Sequence, residues 1–289
     1  MTIDSTPAFG IDVRDTGAVG DGATDDSPAI QRALDQRTGY VVIPPGVYRI
    51  GTTLRVPSHT RLHVHRHATL RYADGAGVDR SCHLIGNAEP ERGDEQIEIT
   101  GGVWDGNNPA NPRGPDDPDS YTGIMICFAN VTDLALRDMT LRDPESYYVR
   151  IDRVRRFLVD DIRLRAVHIR PNQDGIHLGG SCEDGIIRCI EGVGPGVPND
   201  DLVAVNPNDA NHRAQNLGKT WGHVKRLHIE QLRAESAHSF VRLLSIDDPI
   251  EDVTINDLVG GCHVCAVNMD AARQCAVPVF AEDDPEYAE

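Results

Sequence analysis

The sequence predicts an all-β fold: a single-stranded, right-handed parallel β-helix with a short helix capping its N-terminal end. Three observations predict it. Apolar residues alternate in short strings, Leu134 with Leu136, Phe157 with Val159, Leu227 with Ile229 and Val253 with Ile255, and alternation at period two marks a strand with one buried face. The first two strings start about 23 residues apart and the last two about 26, which is the range of solenoid coils and too short for strand–helix–strand units. A helix signal stands ahead of the first coil, where an open stack needs a cover.

That helix is expected over 27–37. Ser27 is placed as its N-cap and Pro28 in its first turn, with Asp25 and Asp26 at its positive end. Ala29, Ile30, Ala33 and Leu34 make one apolar stripe, and Gly39 ends the element. Tyr40 to Ile43 then reads as a strand closed by the turn Pro44-Pro45-Gly46. Each later apolar string is followed by a second pair, Met139 with Leu141, Ile162 with Leu164 and Ile255 with Leu258, as a coil with several faces requires. One coil cannot bury its apolar face alone, so the units must stack. We read one domain over 1–281 and an acidic, disordered tail over 282–289.

Composition narrows the partners. The 289-residue chain has a formal charge of −17, and its only lysines are Lys219 and Lys225. That excludes nucleic acid and anionic membrane as expected partners. No apolar run reaches the roughly 18 residues of a membrane span. The opening Met1 to Phe9 lacks a basic start followed by an apolar stretch, so a cytoplasmic location is expected unless a leader was removed. Seven scattered cysteines fit no disulfide framework.

The chemistry concentrates in two stretches, Asn172-Gln173-Asp174-Gly175-Ile176 and Asn199-Asp200-Asp201-Leu202-Val203, separated by a Gly/Pro-rich turn at 192–198. Asp174 and Asp201 each precede an apolar-alternating strand, so they take equivalent places on stacked coils about 4.8 Å apart. Three crowded carboxylates cannot all be ionised cheaply, so at least one retains a proton. A proton donor beside an ionised base is what glycoside hydrolysis requires. Turn capping by aspartate is the plainer alternative for each.

At these residues the chain resembles the polygalacturonase-like enzymes of glycoside hydrolase family 28, within the pectin-lyase-like superfamily. The resemblance starts with Gly17-Ala18-Val19-Gly20-Asp21-Gly22 and Asp25-Asp26, and continues through Ile43 to Tyr48, Gly101 to Gly106 and Ile126 to Pro144 to the aspartate motifs. It implies that Asp200 is the general acid and that Asp174 and Asp201 activate the attacking water. Inversion of configuration with no metal and no cofactor is implied too. Arg242 falls where the family has an Arg-x-Lys motif for a substrate carboxylate, but the lysine position is Leu244 here. The family's Gly-His-Gly motif has no clean match, with His212 and His223 as stand-ins and His177 and His238 nearer the strand starts. The expected substrate is therefore an oligosaccharide or glycoside, neutral or uronic-acid-containing, contacted by Arg242, His223, His212, His177 and Asn172.

Three further patterns offer alternatives. His63, His65 and His67 share one strand face, as metal ligands or as an ordinary polar exterior. Cys262-x-x-Cys265 with Cys275 resembles half a zinc site, though residues three apart on a strand face opposite ways. Asp21 to Asp26 resembles a calcium loop without its closing glutamate. The rival functions are a lyase or epimerase on the same fold, or a non-catalytic sugar-binding β-helix.

Overall fold

The computed structural model describes residues 10–114, 119–208 and 221–270. The molecule is mostly β, and its strand pairings are all parallel. Each coil lies on the one before it, as a parallel β-helix requires. Along one side, Leu54, Ile85, Ile126, Val149, Ile176, Val203, Val241 and Val267 are successive partners. A second ladder runs Val41, Leu62, Ile99, Leu136, Val159, Ile187, Ile229 and Ile255. The apolar strings of the sequence are the inward positions of this second ladder.

These ladders enclose the core. Trp104, Tyr48, Tyr148 and Phe128 fill it together with the stacked Ile, Leu and Val side chains, and each such aliphatic residue contributes about 1.5–3 kcal/mol on burial. Trp104 Nε1 donates to the Gly101 carbonyl at 3.0 Å, which satisfies its one polar atom in the interior. The coil leaves the first ladder and enters the second through a single left-handed residue. Gln96, Asp133, Arg156, Asp184, Arg226 and Asp252 all take φ between 52° and 64° at that corner. Bidentate pairs tie this column together, Arg156 to Asp133 at 2.7 and 2.8 Å and Arg226 to Asp184 at 2.5 and 2.9 Å.

The capping helix spans Ser27–Asp35 and buries Ala29, Ile30, Ala33 and Leu34 against the first coils. Its N-terminus differs from expectation. Asp26, not Ser27, stands at the cap, in helical conformation and without capping its own helix. Its carboxylate instead accepts from the amides of Val19 and Gly20 at 2.7 and 3.1 Å. Ser27 donates its hydroxyl to Asp25 at 2.6 Å and accepts from the Gly51 amide at 2.7 Å. Both side chains are taken up in tying the helix to neighbouring chain, which outweighs local capping. The helix also stops short of 37, because Gln36 caps it and Arg37 turns to φ 52° ahead of Gly39. The Asp21 carboxylate is occupied by the amides of Ala23 and Thr24 at 2.8 Å each, within the short strand Asp21–Asp25 that pairs with Gly46–Ile50. The acidic tail at 282–289 lies outside the described residues.

Candidate active site

Register alone assembles the site. Ile176, Val203 and Val241 are partners on three successive coils. Two residues before them stand Asp174, Asp201 and Ser239; three residues before them stand Gln173, Asp200 and His238. Backbone bonds carry the stacking past the strand starts, from Gly175 N to Asp201 O at 2.9 Å, Leu202 N to Ser239 O at 2.9 Å and His238 N to Asp200 O at 3.1 Å. One residue beyond the partners lies the row Arg150, His177, Ala204 and Arg242. The sequence folds this way because each coil turns from a polar corner into an apolar strand at the same place.

The three carboxylates differ in setting. Asp200 is the accessible one, with 23% of its side chain exposed, while Asp201 beside it keeps only 2%. Burial pushes the Asp201 carboxyl above its usual value, and the neighbouring Asp200 charge pushes the same way. Ser239, Arg242 and His238 act in the opposite direction. His238 Nδ1 lies 3.3 Å from Asp201 Oδ1 and 3.6 Å from Asp200 Oδ1. The ligand-type atoms of Asp200, Asp201 and His238 all fall within 4.8 Å of one another. Asp174 occupies the preceding coil, where its Oδ2 lies 2.5 Å from His177 Nδ1.

The expected binding residues divide. Arg242 Nη1 stands 3.9 Å from Asp201 Oδ2. Asn172 Nδ2 donates to Asp200 Oδ2 at 3.4 Å. His177, expected to touch substrate, is fully buried. Its imidazole stacks on Tyr147 with ring centroids 4.0 Å apart and planes 11° off parallel, so it supports Asp174 instead. His223 is not brought to the aspartates either. It immediately precedes the strand Val224–Leu244 and pairs with Glu251 at 3.1 Å, whereas the aspartates align with that strand's other end. His212 lies outside the described residues. Leu244, at the position of the family's lysine, is 1% exposed, so this position does not face an open groove.

His238, named from the sequence only as lying near a strand start, and Tyr147, not named there, occupy the rows of Asp200 and Asp174, and counting back from the apolar partners would have placed both. The polar rim is also built. Glu145 holds Arg170 at 3.0 Å and Arg113 at 3.7 Å, and Arg113 Nη2 donates to the Pro171 carbonyl at 3.0 Å beside Asn172.

The other metal patterns do not assemble among the described residues. His63 bonds Thr100 at 3.1 Å, and the His65 and His67 rings lie 5.3 Å apart. Cys262 and Cys265 are half-buried on the last described coil, and Cys275 lies outside the described residues. A cavity of about 620 Å³ lies on the outer face of the second ladder, floored by Ala135, Leu158 and Ile186, away from the aspartates.

Comparison with known proteins bears on the fold. The family model described as "Rhamnogalacturonase A/epimerase, pectate lyase-like" matches residues 10–73. A preneck appendage protein of Bacillus phage PZA is 34% identical over 111 residues, which is 37% of this chain but 12% of that protein. A maize exopolygalacturonase is 25% identical over 293 residues, covering 96% of this chain and 67% of its own length. The structure of a Yersinia enterocolitica family 28 exopolygalacturonase superposes with a TM-score of 0.63 at 17% identity, over 90% of this chain and 59% of that one. Together with the stacked parallel coils, these findings assign the chain to the pectin-lyase fold and make it similar, within that fold, to the polygalacturonase-like proteins of glycoside hydrolase family 28.

Proposed function

We propose that this chain, as one right-handed β-helical domain, hydrolyses an O-glycosidic bond of an oligosaccharide or glycoside with inversion. The observation that carries the reading is the pairing of accessible Asp200 with buried Asp201 under one imidazole, with Asp174 on the adjacent coil. The crowded pair retains one proton between them, and the proton belongs to the pair. Asp200, the more exposed member, delivers it to the glycosidic oxygen as the leaving group departs. Asp174 and the other carboxylate orient a water and take its proton as its oxygen bonds to the anomeric carbon. The products are two hydroxyl-terminated sugars, and the proton gained by the base restores the starting charge. Arg242, close to Asp201, offers the nearest cation to a carboxylate on the sugar.

A second reading has its own support. The phage appendage protein is more similar over its matched stretch than the maize enzyme is, and the lysine position is a covered leucine. A sugar-binding coil without turnover fits those two facts. The two readings separate in one experiment, a panel of glycosides and oligosaccharides with products identified by mass, using wild type and Asp200→Asn. Hydrolysis by wild type alone supports the enzyme. Binding by calorimetry without product, identical in both proteins, refutes it in favour of the binding module.

A further inference from the structure

The outer face of the second ladder carries a patterned surface that hydrolysis does not use. Three rows cross the same four coils. The middle row is Ala135, Leu158, Ile186 and His228, successive partners that point outward between the inward positions of the ladder. On one side of it stands the left-handed corner column Asp133, Arg156, Asp184 and Arg226. On the other side stand Arg137, Asp160, Arg188 and Glu230, again successive partners. Charge alternates along both outer rows. The two rows are out of step, so an acid lies across from a base on every coil.

The pattern is fixed in place and faces solvent. Besides the bidentate pairs along the corner, Arg188 Nη2 donates to Asp160 Oδ2 at 2.8 Å. The side chains of Arg156, Arg188 and Arg226 nevertheless stay 56%, 42% and 44% exposed. Ile186, large and apolar, is 40% exposed, and the cavity of about 620 Å³ lies along its row over Ala135 and Leu158. The outer rows hold four bases and four acids, so this face is neutral on a chain of formal charge −17. Two copies of so acidic a chain repel one another, and a neutral face is where they can approach. A twofold interface needs a patch complementary to itself. A twofold axis lying in this face along the strands supplies it, because it turns every row end for end. Asp133 then meets the second copy's Arg226, and Arg156 its Asp184. Arg137 meets its Glu230, and Asp160 its Arg188. Every facing pair is opposite in sign. In the middle row Ile186 lands on Leu158, and His228 lands on Ala135, the smallest member. An axis along the helix would set Ile186 on Ile186 and Ala135 on Ala135, which leaves the cavity unfilled.

We infer that this face joins two copies of the chain in a twofold dimer with antiparallel helices, Leu158 and Ile186 at its centre. The contact uses none of Asp174, Asp200 and Asp201, so it stands whether or not the chain hydrolyses a sugar. Four coils at about 4.8 Å each span roughly 20 Å, which puts the contact at the small, reversible end of protein interfaces. Sedimentation velocity over a micromolar to millimolar concentration series reads it, with circular dichroism confirming that each variant is folded. Wild type should pass from monomer to dimer within the series. Ile186→Lys, at an exposed position, should weaken the dimer about tenfold or more, because it presses an ammonium onto the second copy's Leu158. Arg156→Asp should weaken it about tenfold by setting acid against the second copy's Asp184. Adding Asp184→Arg to that change restores opposite signs across an antiparallel contact, and across that contact only, so the double variant should dimerise again. Wild type that stays monomeric to millimolar concentration overturns the inference. A dimer indifferent to Ile186→Lys overturns it too, by placing the contact elsewhere. A double variant no better than Arg156→Asp overturns the antiparallel arrangement.

Discussion

His238 stands on the coil next to Asp201 with its Nδ1 3.3 Å from the Asp201 Oδ1, and the same nitrogen is 3.6 Å from Asp200. One donor thus faces two carboxylates that repel one another. His238→Ala removes it, and we expect kcat to fall about 10²-fold, the usual scale for a group that organises proton transfer. KM should move less, because His238 is placed against the two acids. His238→Gln, which keeps a donor at similar reach, should recover part of the loss. Steady-state kinetics on any hydrolysed glycoside reads all three, and an unaltered kcat in the alanine variant would remove His238 from the mechanism.

Asp174 gains its orientation from a buried neighbour. His177 holds it at 2.5 Å and is itself pinned by the Tyr147 ring. His177→Phe keeps an aromatic face for the stack and deletes the nitrogen. The prediction is a loss of about 10²-fold in kcat/KM, as for a misplacement of roughly 1 Å in a catalytic group. The thermal midpoint should stay near wild type if the stack survives. A variant that melts far lower while keeping its activity per folded molecule would show His177 to be a packing residue alone.

Much of this was legible in the chain. The inward positions Leu134, Phe157, Leu227 and Val253 announce their ladder because side-chain direction in a strand has a period of two. Asp174 and Asp201 could be placed on neighbouring coils for the same reason. His238 was harder. The sequence marks it as lying near a strand start, but its place beside Asp200 is reached only by knowing that Val203 pairs with Val241, 38 positions later. His177 was placed in the site for the wrong purpose. Alternation tells that it points away from the core, but not that Tyr147 covers it. Ser27 misled as a cap because its hydroxyl is spent on Asp25 and Gly51, contacts between distant segments that local sequence does not reveal.

Asp201 trades stability for its role. Its folded-state pKa is raised above the ordinary 3.8 by burial and by Asp200. The folded state therefore favours the protonated form. That contribution is complete below the unfolded pKa and is lost as pH rises through the folded one. Asp201→Asn, neutral at every pH, should melt higher than wild type at neutral pH by on the order of 1 kcal/mol, a common gain where a functional charge is removed. The advantage should shrink towards zero below about pH 4, where both forms are neutral. Hydrolysis should be abolished at the same time. Urea melts across pH check the sign, and a variant that is less stable at neutral pH would show that Ser239 and Arg242 more than offset the burial.

Gly175 joins Asp174 to the strand that begins at Ile176, and it has no room for a side chain. A Cβ there would lie 2.4 Å from the Leu202 carbonyl oxygen and 2.7 Å from Leu164 Cδ1. The first is backbone of the next coil, held in place because Leu202 O accepts from Ile176 N and Leu202 N donates to Ser239 O, so it yields little. Gly175→Ala should therefore cost about 1–3 kcal/mol, the range for forcing one extra carbon into a packed interior. Because the strain pushes the coils of Asp174 and Asp201 apart, activity should fall further than the folded fraction does. Gly75, whose Cβ would meet nothing within 4 Å but whose φ is 69°, supplies the control. Gly75→Ala carries the backbone penalty without the collision and should leave kcat unchanged. Equal effects of the two substitutions on kcat, measured on folded protein, would mean that coil spacing does not govern the aspartate geometry.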